Sequence, residues 1–175
     1  MASTKSRLIR TLSGTRTVTG GIPSYAIATD MLVRDLTVRR LEGDYEAQNF
    51  VTGFEGAQGD RLYNVSAGLD FMVDGSLPDA GDAPLYGPLL TACGLTETLT
   101  ASTSATYSLT PEGTPKGELA FQYVDALTSQ VSEKVRGALS FTAETKKPPM
   151  FGFKFMGEHF DGQATVATAQ DFSGW

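Results

Sequence analysis

Between Leu62 and Val73 the chain alternates with a period of two: Tyr63, Val65, Ala67, Leu69, Phe71 and Val73 fall on one side, Asn64, Ser66, Gly68 and Asp70 on the other. That period belongs to a strand with one face buried and the other in water; a helix, which repeats every 3.6 residues, scatters the same residues around its circumference. The period returns in Leu119, Phe121 and Tyr123, in Val131, Val135, Leu139 and Phe141, and in Phe151, Phe153 and Phe155. Gly113, Pro115, Pro148, Pro149 and the Asp161-Gly162 dipeptide are the breaks expected between these segments. Further upstream, Met31, Leu32, Val33, Leu36 and Val38 read as a strand or strand pair over Asp30 to Leu41.

The period changes once. From Ala83 to Leu95, Leu85, Leu89 and Ala92 stand at helical spacing. Pro88 is tolerated only in a first turn, so the helix is expected to begin near Gly87, with Asp82 as its N-cap and Gly94 in the left-handed position just past its end. A helix this short is not stable alone and must dock on the sheet. Cys93 then reads as a small buried side chain rather than a reactive thiol. Strands, one helix, then more strands predict a mostly β fold: a β-sandwich or partly closed barrel with one short helix covering an end.

Two segments lack a clear period. Gly43, Gly53, Gly56 and Gly59 punctuate a long Gly-rich loop or mobile hairpin from Gly43 to Asp60, and loops of that length are usually functional. Tyr45, Phe50 and Phe54 are its contact candidates. Residues 1–29 hold no acidic residue and are rich in Ser, Thr, Gly and Arg, which predicts an extended arm, separable from a β domain over residues 30–175. Arg7, Arg10 and Arg16 are the contact candidates of the arm.

At 175 residues the chain fits one domain with an ordinary core. No apolar run reaches the roughly 18 residues of a membrane span, so a soluble chain with no membrane insertion is expected. The formal charge of −6 is unevenly spread. Residues 1–40 carry seven basic and two acidic side chains, and residues 42–125 carry thirteen acidic against two basic. Carboxylates repel phosphate, so tight DNA binding is not expected of the body, while a basic arm and an acidic body suit contact between copies.

The chemistry-bearing residues are sparse. His159 is the only histidine and Cys93 the only cysteine, which leaves no Ser/His/Asp triad that does not depend on one imidazole and no ligand set for tetrahedral zinc. Asp74, Asp79 and Asp82 lack the tight spacing of a calcium loop, and the glycines of the long loop lack the Lys-Ser/Thr of a phosphate loop. Neither catalysis nor a cofactor nor a bound metal is expected.

Taken in order, two stretches resemble the tail tube proteins of long-tailed bacteriophages. One is Asp79-Ala-Gly-Asp-Ala-Pro-Leu-Tyr-Gly-Pro-Leu-Leu-Thr-Ala-Cys-Gly-Leu95, where a loop leads into a Pro-led helix closed by Gly. The other is Val135 to Gly157, similar to the closing strand pair of that family, with Arg136-Gly137 at its start and Phe153-Lys-Phe-Met-Gly157 at its end. With Val38 to Gly59 included, the likeness covers roughly residues 30–162. It implies a non-enzymatic virion subunit that forms hexameric rings, stacked into a tube through which the genome passes into the host. Its partners would be copies of itself and other tail proteins, with DNA sliding through unbound. Its place would be the phage tail, after synthesis in the bacterial cytoplasm. The lumen candidates under this resemblance are Asp70 and Asp74. The alternatives are another ring protein of the tail, a terminator or distal component, and a carbohydrate-binding β-sandwich.

Overall fold

A computed structural model describes residues 7–19, 22–47, 59–75, 78–125, 128–158 and 161–164; for residues 7, 8, 13–19, 22–28, 125, 128, 129 and 161–164 it describes the backbone alone. The elements run β1 (Arg7–Thr19), β2 (Ile22–Met31), β3 (Arg34–Ala47), β4 (Asp60–Asp74), α1 (Gly87–Ala92), β5 (Leu95–Thr100), β6 (Ser104–Leu109), β7 (Leu119–Asp125), β8 (Thr128–Thr142), β9 (Met150–Gly157) and β10 (Asp161–Ala164). The chain is mostly β, as the alternation predicts, with one short helix.

Eight strands form one sheet in the order β2-β1-β7-β8-β9-β4-β3, with β10 against β8, and every pairing is antiparallel. The sheet bends at β8, whose first half pairs with β7 up to Val135 and whose second half, from Arg136 to Thr142, pairs with β9. At the change of partner the register with β7 slips by a residue and Lys134 takes a left-handed φ of 51°. An extra residue of this kind kinks a strand and sharpens its twist. The result is two layers sharing one bent strand: β2-β1-β7-β8-β10 in the first, β8-β9-β4-β3 in the second. The strand path has two ends, β2 and β3, so the sandwich alternative describes the fold. β10 lies near β2 without a pairing between them among the described residues.

The core lies between the layers. Ala67, Leu69, Phe71 and Val73 of β4 face Phe153 and Phe155 of β9, and Ile9, Phe121, Tyr123 and Val135 approach from the other layer; all are buried. Phe71 meets Phe121 edge-on at 6.1 Å and Phe155 at 5.8 Å, the offset geometries that aromatic rings favour. Arg40 of β3 sits 5.1 Å over the ring of Tyr123, so a cation covers an aromatic edge of the core.

α1 matches its expected bounds. Pro88 lies in the first turn, Leu89, Leu90 and Ala92 are buried, and Gly94 has φ +88°, a conformation that any β-carbon would strain. Leu95 packs back on the core. The N-cap is Tyr86, with no side-chain cap bond; Asp82 instead closes a turn through its N–H to the Asp79 carbonyl. Pro84 and the Gly87 N–H bond to its carbonyl complete the entry, so the chain turns in without the side-chain oxygen that a cap would supply.

Several expectations need correction. Of the residues read as an extended arm, 7–19 form β1 and 22–29 most of β2, and β1 pairs with β7 from Arg7↔Asp125 to Leu12↔Ala120. The division at residue 29 thus falls inside β2. The Thr/Ser-rich stretch after α1, whose sequence reads as a connection between elements, is the hairpin β5–β6, a separate two-stranded sheet. Asp161-Gly162, expected as a break, begins β10. Of the two readings of Gly43 to Asp60, loop or hairpin, the described part agrees with the hairpin: β3 and β4 stay paired out to Ala47↔Asp60, with three register shifts on the way, and residues 48–58 lie outside the described residues.

Candidate assembly surfaces

The two ends of the second layer are the open strand edges of most interest. β3 is the terminal strand on one side. Its edge carries Arg34, Asp35, Arg39, Arg40, Glu42, Asp44 and Glu46 and is broken by the three register shifts. Charges and bulges of this kind keep identical edges from pairing with each other. On the other side, Arg136–Thr142 of β8 is bonded to β9 alone; among the described residues no strand pairs with its far edge. From Gly137 to Thr142 this edge has neither charge nor proline. Leu139 is 37% exposed and Phe141 59% exposed, although both project toward the core side, level with Phe153 and Phe151. It lacks the usual protections of an edge strand.

Beside that edge, at the α1 end, is an apolar cavity of about 520 Å³. Tyr86 and Leu90 line one side, Tyr107 of β6 another, and Leu139 and Phe151 the floor. The Tyr107 hydroxyl donates to the Glu97 carboxylate, and burial together with that carboxylate raises the Tyr107 pKa above the ordinary tyrosine value. Cys93 is half-buried nearby, and burial pushes its thiol up to about 11.

Among the described residues nothing covers the outer face of the second layer. Asp70 and Asp74 both point out on it, with Met72 between them, alongside Lys154 and Gly152 of β9 and Ala138 and Ser140 of β8. Each of the two carboxylates expected in a lumen is held by an arginine of β3. Arg39 donates to Asp70 through two nitrogens, at 3.0 and 3.2 Å, and Arg34 Nη2 lies 2.6 Å from Asp74. Arg39 Nε lies 3.1 Å from Glu42 without the alignment of a hydrogen bond. Across the same face Arg136 pairs with Glu118 at 2.6 Å.

The contact candidates read from the sequence scatter. Tyr45 stands on the outer half of the β3–β4 hairpin, 71% exposed, where Asn64 bonds to Asp44. Arg10 is no contact residue: it is buried on the far face of the first layer in an ion pair with Asp30, its cross-strand partner, among Leu12, Ala120 and Val131. Arg7 and Arg16 lie on β1, opposite Asp125 and Tyr25, with side chains outside the description. Phe50, Phe54 and His159 fall outside the described residues. Sequence reasoning missed Arg34 and Arg39 as partners of Asp70 and Asp74, because pairing across strands appears only with the register. It also missed the β8 edge, for which the uncharged run Gly137–Thr142 was the available signal.

Among the described residues no group of His, Cys, Asp and Glu is arranged to hold a metal, and no helix is long and apolar enough to cross a membrane. No family model matches the chain, and no curated protein matches it.

Proposed function

We propose that this chain is a structural subunit of a bacteriophage tail tube, joining copies of itself through the two edges of its second layer into rings that stack around a genome-carrying bore. The observation that carries the reading beyond the resemblance is the pair of unlike edges, β3 on one side and Arg136–Thr142 of β8 on the other. The layer has four strands, each antiparallel to the next. With an even number, the two edge strands run in opposite directions. A neighbour related by rotation about a ring axis keeps its strand directions, so its β3 meets β8 antiparallel, and the pattern continues unbroken around the ring. Such head-to-tail contacts close into rings. They also remove the exposed edges that would otherwise template disordered pairing.

The asymmetry of the edges favours this mode over a two-fold dimer. A β3 edge broken by three register shifts is a poor template for a second copy of itself, and an uncharged β8 edge meets its charges of both signs without repulsion. Backbone hydrogen bonds along the new pair would add to burial of Leu139 and Phe141, at about 25 cal/mol per Å² of apolar surface removed from water. The β3–β4 hairpin, with Tyr45 and Leu41 exposed beyond the core, is suited to reach a second ring.

Negative-stain microscopy of the purified full-length chain tests the proposal. Long tubes are the expected result. Rings that never stack would assign the chain instead to a terminator or distal ring of the tail, and a monomer at every concentration would overturn both.

A further inference from the structure

We infer that Asp70 and Asp74 act as guards for Arg39 and Arg34, keeping the bare face of the second layer from gripping duplex DNA; the inference rests on the ring reading above for where that face lies. In a ring made through β3 and β8, this layer becomes a closed wall. One face of the wall is covered by the first layer, α1 and the β5–β6 hairpin; among the described residues the other is bare. Four strands at about 4.8 Å set neighbouring copies about 19 Å apart along the wall. The covering layer is wider, with five strands, and so needs the larger circumference. It therefore lies outside, and the bare face looks inward.

The resemblance puts Asp70 and Asp74 forward as carboxylates of the inner wall. The structure pairs them: Asp70 with Arg39, Asp74 with Arg34. Gly68 makes room for the first pair, since a β-carbon there would stand 2.6 Å from the Arg39 guanidinium. A guanidinium that is already bound to a carboxylate has its donor fork occupied and its charge offset, so it cannot form the bidentate phosphate contact for which arginine is suited. Around the pairs, Gly152, Ala138 and Ser140 keep the face flat, and Lys154, opposite Asp70 in the register, adds a further cation to it. The partner it fits is a polyanion in transit.

Removing the guards should therefore create affinity. The full-length chain, dispersed and as tubes, is titrated with a short fluorescent DNA duplex at about 0.1 M salt, where the screening length is about 10 Å. Wild type is expected to show no binding. Asp70→Asn/Asp74→Asn is expected to bind, with log K falling against log salt at a slope between about −1 and −2, because Arg34 becomes free for phosphate and Arg39 keeps only its Nε contact with Glu42, at about 0.9 for each arginine fully freed. Asp79→Asn/Asp82→Asn shifts the formal charge equally, from −6 to −4, at an exposed turn, and is expected to leave binding absent. Adding Arg34→Gln and Arg39→Gln to the first variant should abolish its gain. The inference is overturned if the first variant, folded by circular dichroism, gains nothing, if the turn variant gains as much, or if the gain survives loss of both arginines. An absence of tubes would count against the ring and not against a gain measured on the dispersed chain.

Discussion

At Gly68 the lack of a side chain is what lets Arg39 lie across β4 and reach Asp70. Gly68→Ala should displace the guanidinium, yet the pair is partly exposed, so the stability lost should stay below about 1 kcal/mol in urea unfolding. Phe155 presents the opposite case: it is 1% exposed and packed against Phe71, Phe121 and Phe153. Phe155→Ala should cost about 3–5 kcal/mol by the same measurement. Cys93 gives a pH signature. Burial raises its pKa from 9.0 to about 11, so the fold favours the neutral thiol. Its contribution to stability is complete below pH 9 and lost as pH rises toward 11, and the melting temperature should fall across that window. At pH 8 only about one thiol in a thousand is ionised, so thiol reagents should modify it far more slowly in the folded chain than in urea. The sequence already marked Cys93 as a packing residue, because it follows a docked helix. It could not mark Arg10, whose partner Asp30 is twenty positions away and found only through the register of β1 and β2.

Among the elements, those with a clean apolar period were legible: β4, β7, β8, β9 and α1 all appear where alternation or helical spacing puts them. β1, β2, β5 and β6 were not. β1 is rich in Thr and Arg and β5 and β6 in Thr and Ser, so these three strands show no long apolar stripe of their own. The bend in β8 was equally hidden, since a lysine at a left-handed φ follows no propensity and is held by the two layers that pull on it. Gly94 is a legible special position, and Gly94→Ala should destabilise the helix end by about 1 kcal/mol. For β8 the edge itself is the test. Phe141→Lys places a charge on the exposed side chain of an unpaired edge, so the chain should remain folded by circular dichroism and lose assembly by light scattering.

For the whole molecule, the first thirty residues change meaning once their pairing is known. Residues 7–19 and 22–31 are strands of the sheet, with Ile9 and Met31 in the core. Deleting residues 2–29 should therefore abolish cooperative unfolding of the remainder, rather than leave a folded domain without its arm. The open edges of the second layer are likewise a property of the assembled fold: no local pattern shows that the pairing of β8 with β7 stops at Val135 or that β3 ends the sheet. Hydrogen exchange read by mass spectrometry, comparing assembled with dispersed full-length chain, addresses the joining of copies through those edges most directly. The expected result is strong new protection of the Gly137–Thr142 amides in β8 together with the paired stretch of β3 beginning at Arg34. Equal exchange at both edges in the two states, with protection gained elsewhere, would contradict it.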